Sequence, residues 1–255
     1  MKVFIVSIII IILISVIPNY AVSQRSIDSA ITVPLFTSSF MTQFPGGDMA
    51  KRYGTNTNIG SSFMLKLKSN FIFELNANYI FGSKLRGDAT HLFDSIETSN
   101  GEVINEYGEF AKLRTFERGY FIGARLGKVF SVCKKNPNSG ILFMLGGGLL
   151  QHKIRIENDG NNVPQIKGDY KKGYDKMSYG FSSTEFIGYM FFSKSQLLNF
   201  YAGLEFYQGF TKSGRSYDYS LMKKDTQSRL DLLTSIKVGW VIPIYRRMPD
   251  EYYYY

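Results

Sequence analysis

The last stretch of the chain, residues 229–255, is RLDLLTSIKVGWVIPIYRRMPDEYYYY. From Leu230 to Ile242, apolar side chains and Thr234 occupy every second position, whereas Asp231 and Lys237 lie between them. A period of two with one apolar face and one more polar face is typical of a β-strand. This strand decides the fold once the direction of its apolar face is known, because that face points either into a protein core or out into lipid.

Seven further segments favour strands, so the sequence predicts eight in total. The segments are residues 30–40, 55–68, 71–82, 119–130, 141–156, 178–192 and 199–210. The first is the weakest, because a strand there must tolerate Pro34. The segment 141–156 is apolar on both faces at its start, so its faces cannot be assigned.

The connections between these segments alternate in length along the chain. They run long, short, long, short, long, short, long, and Ser69 and Asn70 alone separate the second strand from the third. With an even number of strands, both chain ends lie on the side of the short turns. Outer-membrane barrels have this arrangement, with short periplasmic turns and long extracellular loops. We therefore expect an all-β fold, an eight-stranded antiparallel transmembrane barrel.

The composition of the two faces indicates that the apolar face points outward. The more polar face is rich in small residues, namely Gly60, Ser62, Gly123, Gly127, Gly203, Gly209, Ser235 and Gly239. Small residues suit the interior of a narrow eight-stranded barrel, which side chains fill. The opposite face carries Phe71, Phe73, Tyr79, Phe81, Phe200, Phe206 and Trp240, as expected for aromatic belts at the membrane interfaces. An exported soluble barrel that binds an apolar ligand is the alternative with this face inward.

Charged residues on the inward face are the candidate functional residues. We predict ion pairs in the lumen from Glu74, Arg125, Glu185, Glu205 and Lys237, because an isolated charge there would be costly. Glu205 and Lys237 lie on adjacent strands at similar depth and form the best predicted pair. These residues either plug the lumen structurally or belong to a narrow gated pore for small solutes.

The two chain ends differ from the barrel between them. Residues 1–23 combine Lys2, an apolar run and the small-residue site Ala21-Val22-Ser23, a pattern that predicts a cleaved signal peptide. A retained anchor is disfavoured, because the run is shorter than the ~20 residues of a membrane span. The barrel is predicted over residues 24–245. Residues 246–255 form a predicted periplasmic tail, and Tyr252, Tyr253, Tyr254 and Tyr255 are candidate contacts to a periplasmic partner or to the membrane interface.

Composition and motifs argue against most other functions. Among 255 residues Cys133 is the only cysteine, which excludes an intrachain disulfide and a cysteine-rich metal site. The net charge is +9, but no basic helix or zinc spacing indicates nucleic acid, and no cofactor motif is present. Gly146–Gly148 lies within a strand and is not a phosphate loop.

The two histidines could suggest an enzyme. His91 lies near Asp88, Asp94 and Ser95, but such a grouping in a polar loop arises easily by chance. His152 is expected at the outer rim of the fifth strand, in a loop-packing role. We therefore predict a protein that is not an enzyme.

The signal peptide, the eight strands, the asymmetric loops and the aromatic last strand together resemble the small OmpA-type outer-membrane β-barrel family of Gram-negative bacteria. The resemblance implies location in the outer membrane and contact with its lipid and lipopolysaccharide, through rim cations such as Arg215, Lys223, Lys224 and Arg229. It also implies a structural or complex-forming role, with a protein partner in the periplasm or outer membrane. The chain departs from such barrels because "RRMPDEYYYY" continues beyond Tyr245, near the predicted end of the last strand.

Overall fold

The computed structural model describes residues 30–132, 136–193 and 199–244. The eight strands are β1 (Val33–Gly47), β2 (Asn56–Lys66), β3 (Phe71–Gly82), β4 (Leu113–Ser131), β5 (Gly140–Asn158), β6 (Ser178–Phe191), β7 (Asn199–Ser213) and β8 (Ser228–Pro243). Each pairs antiparallel with the next, and β8 pairs with β1, which closes the barrel. Closure leaves no strand edge unpaired. The predicted all-β fold of eight antiparallel strands is confirmed.

The first strand differs most from its predicted bounds. It continues to Gly47, and Pro34 lies near its start, where the Pro34 carbonyl accepts a hydrogen bond from the amide of Ile244 at 2.9 Å. The connection to β2 is therefore only residues 48–55, so the prediction of a long first connection is wrong. The other three connections on that side span residues 83–112, 159–177 and 214–227. The long loops thus gather at the end of the barrel opposite the start of β1 and the end of β8.

Side chains alternate across the barrel wall as the sequence pattern predicts. On β3, Phe71, Phe73 and Leu75 face outward, whereas Ile72 and Glu74 are buried in the lumen. Aromatic rings on the outer wall gather towards both ends of the strands. Those near the short turns include Phe36, Phe71, Phe130, Tyr189, Phe200 and Trp240, and those near the long loops include Phe44, Tyr79, Tyr120, Tyr179 and Phe210. Between these two belts of aromatic side chains the outer wall is mainly aliphatic.

The middle of β5, whose faces the sequence left open, is now explained. Gly146 and Gly148 face the lumen. A Cβ atom at Gly146 would lie 2.1 Å from the carbonyl oxygen of Ala124 and 2.7 Å from Cγ of Arg125, which pairs with Gly146 on β4. The missing side chain therefore leaves room for the arginine, which is the close packing that a glycine inside a strand often marks.

The loop side of the barrel is covered by chain. Apolar residues of the connections pack against lumen residues of the strands in one cluster; the loop members include Met49, Ala89, Leu92, Phe93, Val103, Val163, Ile166 and Tyr174. The helices within residues 30–132, 136–193 and 199–244 are short 3-10 turns, none long and apolar enough to cross a membrane.

Candidate functional site

Four charged side chains meet at the centre of the lumen. Nε of Arg125 donates to Oε2 of Glu74 at 2.6 Å, and Nη1 of the same arginine donates to Oε1 of Glu205 at 2.6 Å. Nζ of Lys237 lies 2.7 Å from Oε2 of Glu205. All four side chains are at most 1% exposed. We call Glu74, Arg125, Glu205 and Lys237 the lumen ion cluster; its formal charges sum to zero.

The strand register explains how these residues meet. Glu74 and Arg125 are direct partners on β3 and β4, whereas Glu205 and Lys237 come from β7 and β8. Arg125 therefore reaches across the lumen to join two pairs of strands that are not neighbours. Arginine suits this task, because its guanidinium donates several hydrogen bonds in a fixed fork.

Buried aromatic pairs lie in the lumen on both sides of the cluster. Towards the short turns, the Phe186 and Tyr201 rings pack edge to face with centroids 5.6 Å apart, and Lys237 Nζ lies 5.9 and 5.7 Å from their centroids. Towards the loops, Phe121 and Tyr207 form a second edge-to-face pair at 5.2 Å. Each of these four rings is at most 1% exposed. Among the described residues, the centre of the lumen is thus filled by these buried rings and by the four charged side chains.

A second buried polar cluster lies nearer the loops. His152 is fully buried: its Nε2 is 2.9 Å from Oδ2 of Asp231, and its Nδ1 is 3.4 Å from the Tyr53 hydroxyl. Thr211 also donates to Asp231. Burial raises the pKa of the Tyr53 phenol, so this hydroxyl keeps its proton. His152 is therefore buried in the lumen rather than exposed at the rim, and its edge-to-face contact with Tyr53 of the connection 48–55 agrees with the predicted loop-packing role.

The surface histidine is in a different setting. His91 is 69% exposed and has Nδ1 3.4 Å from Oδ1 of Asp94. The His91–Asp94 pair therefore lies at the protein surface and not in a buried pocket. Within the described ranges, no group of three or more His, Cys, Asp or Glu residues could hold a metal ion.

Glu185 does not join the lumen ion cluster, and its assignment to the lumen is wrong. The alternation of β6 buries Thr184 and Phe186 and turns Glu185 to the outer wall. There, Nε2 of Gln208 donates to Oε2 of Glu185 at 3.2 Å, and the Ser183 hydroxyl donates to Oε1 of Gln208 at 3.2 Å. The error arose because a charged residue was assumed to face inward. We call Ser183, Glu185 and Gln208 the outer polar patch.

Two of the four rim cations named from the sequence are paired with carboxylates. Nε of Arg215 donates to Oδ1 of Asp175 at 2.8 Å, and Arg229 is paired with Asp225. Burial alone would raise the pKa of the Asp225 carboxyl. A hydrogen bond from the backbone N–H of Gln227 and the Arg229 guanidinium outweigh this effect and keep that pKa below its usual value. Tyr252 to Tyr255, Tyr245 and Cys133 lie outside the described residues.

Comparisons with known proteins return likeness in fold only. No protein-family model matches the chain, and no curated protein matches it significantly in sequence. Neisserial surface protein A is similar with 11% identity and a TM-score of 0.46, over 83% of this chain and 97% of that one. Ail, the attachment invasion locus protein of Yersinia pestis, has 8% identity and a TM-score of 0.43, over 83% and 99%. The outer membrane protein OprG from Pseudomonas aeruginosa has 10% identity and a TM-score of 0.38, over 84% and 98%.

In fold, the chain resembles small outer-membrane barrels. At these identities and TM-scores the likeness supports no argument about activity.

Proposed function

We propose that this chain is an outer-membrane barrel with a structural or complex-forming role and a lumen that does not conduct. The observation that carries the proposal is the contrast between the two sides of the wall. Large apolar side chains cover the outer wall, for example Ile122 at 57% and Leu126 at 65% exposure, while charged groups are buried inside. A water-soluble protein rarely exposes a continuous apolar surface of this kind.

The packed lumen argues against both alternatives. A soluble carrier of apolar ligands needs an apolar cavity, but apolar layers and the lumen ion cluster fill the interior. A narrow pore needs a continuous polar path, and the ring pairs Phe121–Tyr207 and Phe186–Tyr201 interrupt it on both sides of the cluster.

Fractionation followed by conductance measurement tests this proposal. We expect the chain in the outer-membrane fraction, with gel mobility that changes on boiling, because a closed barrel resists detergent until it is heated. Reconstituted in planar bilayers, the barrel should give no steady single-channel conductance. Recovery in the soluble periplasm would overturn the membrane location, and steady channels would restore the pore interpretation.

Two features support the complex-forming part of the proposal. The first is the outer polar patch, which lies between the outward rings of Tyr179 and Tyr189 and therefore near mid-depth of the wall. Gln208 supplies one hydrogen bond to the Glu185 carboxylate, but a charge at that depth of a bilayer stays costly, so a polar surface of a protein partner would stabilise it further. The second is the tyrosine-rich end of the chain, because tyrosine is enriched at protein interfaces.

Deletion of Tyr252 to Tyr255 tests the tail. We expect a protein partner that crosslinks to the intact chain in cells to be lost on deletion, while the heat-dependent gel mobility stays unchanged. Glu185→Leu is the matched variant at the outer polar patch. If a crosslinked partner is lost only in Glu185→Leu, the contact lies within the membrane. If both variants keep all crosslinked proteins, the complex-forming role is wrong.

A further inference from the structure

The outer polar patch, Ser183, Glu185 and Gln208, interrupts an outer wall that is otherwise mainly apolar. Among the described residues, Glu185 is the only carboxylate that points outward between the two aromatic belts. Its direct strand partners, Leu145 on β5 and Phe206 on β7, are apolar. Acyl chains offer a carboxylate no hydrogen-bond donor, so lipid alone leaves Glu185 in an unfavourable environment. A second polar surface at the same depth would supply the missing donor.

The hydrogen bonds within the outer polar patch leave one donor and one acceptor unused. The Ser183 hydroxyl donates to Oε1 of Gln208, and Nε2 of Gln208 donates to Oε2 of Glu185, both at 3.2 Å. A side-chain amide carries two N–H donors, and a carboxylate accepts at both oxygens. In the part of the chain that the structure describes, the second N–H of Gln208 and Oε1 of Glu185 have no partner.

A free donor beside a free acceptor makes the outer polar patch complementary to itself. In a dimer with two-fold symmetry, residue i of one copy meets residue j of the other, and j meets i. With the axis between Glu185 and Gln208, the free N–H of each Gln208 donates to Oε1 of Glu185 in the second copy. Two equivalent hydrogen bonds then satisfy both patches, without a second kind of protein.

The wall beside the patch lets a second barrel come close. Gly147 is the direct partner of Ser183 on β5, and a Cβ atom there would lie 2.6 Å from Cζ of Phe181. The Phe181 ring therefore occupies space that the glycine leaves free and lies against the wall. Ala124, the partner of Gly147 on β4, is also small. Small side chains let membrane-spanning segments approach closely, which strengthens their van der Waals contacts.

We propose that the barrel forms a two-fold symmetric dimer within the membrane, with Glu185 and Gln208 exchanging hydrogen bonds between the copies. The inference rests on the proposed membrane location and complex-forming role, and it names a second copy of this chain as the partner. A second copy fits better than an unrelated protein, because it carries the required donor and acceptor at the same depth of the same membrane.

Self-association of the purified barrel in phosphatidylcholine vesicles tests the dimer. Energy transfer between copies labelled with donor and acceptor fluorophores is measured for the wild type, for Glu185→Leu and for the control Ser61→Leu. Ser61 faces outward at the middle of β2, on the opposite side of the barrel. A hydrogen bond between membrane-spanning segments strengthens association by up to about tenfold. We therefore expect the Kd of Glu185→Leu to rise by about 10- to 100-fold and that of Ser61→Leu to stay near the wild-type value.

Cysteine crosslinking in isolated outer membranes locates the contact. Both variants are made in a Cys133→Ser background, which removes the native thiol. Ser183→Cys lies beside the proposed axis, so a short membrane-permeant bismaleimide should link it to a second copy. Ser61→Cys, on the opposite wall, should give less than a tenth of that dimer.

The proposal is overturned if the wild type stays monomeric at every protein-to-lipid ratio, or if Glu185→Leu dimerises as well as the wild type. Equal losses in the two leucine variants, or equal crosslinking at the two cysteines, would also overturn it. If purified barrels stay monomeric while Glu185→Leu loses a different crosslinked protein in cells, the complex-forming role stands and the second copy is the wrong partner. Reconstitution places the barrel in lipid in every case, so the membrane location is still decided by fractionation.

Discussion

Replacing Arg125 with methionine should destabilise the barrel by about 3–5 kcal/mol, the range for breaking a buried ion pair by removing one partner. Arg125 is the only residue of the lumen ion cluster that contacts both Glu74 and Glu205. Without it, Lys237 still neutralises Glu205, but Glu74 remains as an unpaired charge in a closed lumen. The measurement is the free energy of unfolding in urea, for the barrel refolded into phosphatidylcholine vesicles.

A second substitution separates charge from packing in this experiment. In Glu74→Gln/Arg125→Met, the charges of the remaining Glu205 and Lys237 sum to zero. We therefore expect this double variant to regain more than half of the unfolding free energy that Arg125→Met loses. Arg114→Met, at a 60% exposed position on the same strand, should change stability by less than about 1 kcal/mol. If the double variant is as unstable as Arg125→Met, the loss comes from packing rather than from the orphaned carboxylate.

Replacing Phe186 with alanine should destabilise the barrel by about 3–5 kcal/mol, because a buried phenylalanine leaves a cavity that the rigid wall cannot fill. The ring is fully buried against Tyr201 and lies beneath Lys237. The same vesicle unfolding measurement applies. Planar bilayer recordings of this variant also show whether loss of one ring opens the apolar layer on the side of the short turns.

Phe181→Ala is the matched control, since it makes the same change on the outer wall of the same strand. The Phe181 side chain is 56% exposed, and lipid chains can occupy the space that it leaves. We expect less than half of the destabilisation seen for Phe186→Ala. Equal losses at both positions would mean that the lumen side of β6 is not a packed core.

The outward direction of the apolar face could be inferred because it depends on local pattern. A strand places alternate residues on opposite faces. The segments from Leu230 to Ile242 and from Phe71 to Phe81 therefore show directly which residues share the apolar face. The number of strands could also be predicted, because the alternating segments and the turns between them are local features of the sequence. The segment 141–156 resisted assignment, because Leu145 and Leu149 face outward while Leu142 and Leu150 fill the lumen, so both faces are apolar.

The charged residues show where local pattern stops being sufficient. The pairing of Glu205 with Lys237 was proposed from adjacency, but Arg125 joins them only because the closed barrel brings β4 across from β7. Glu185 was misplaced because charge was given more weight than its phase on β6. The His152–Asp231 pair likewise depends on the closed barrel, because β5 and β8 are not neighbouring strands.

The sequence by itself therefore determined the strand count, the direction of the apolar face and the class of fold, because period, turn spacing and side-chain size act over a few residues. Only the tertiary structure decided which charges neutralise each other, which side chains fill the centre of the lumen, and that Arg118 lies opposite Lys153. The physical reason is that these contacts join residues far apart in the chain, and their distances exist only once the barrel has closed.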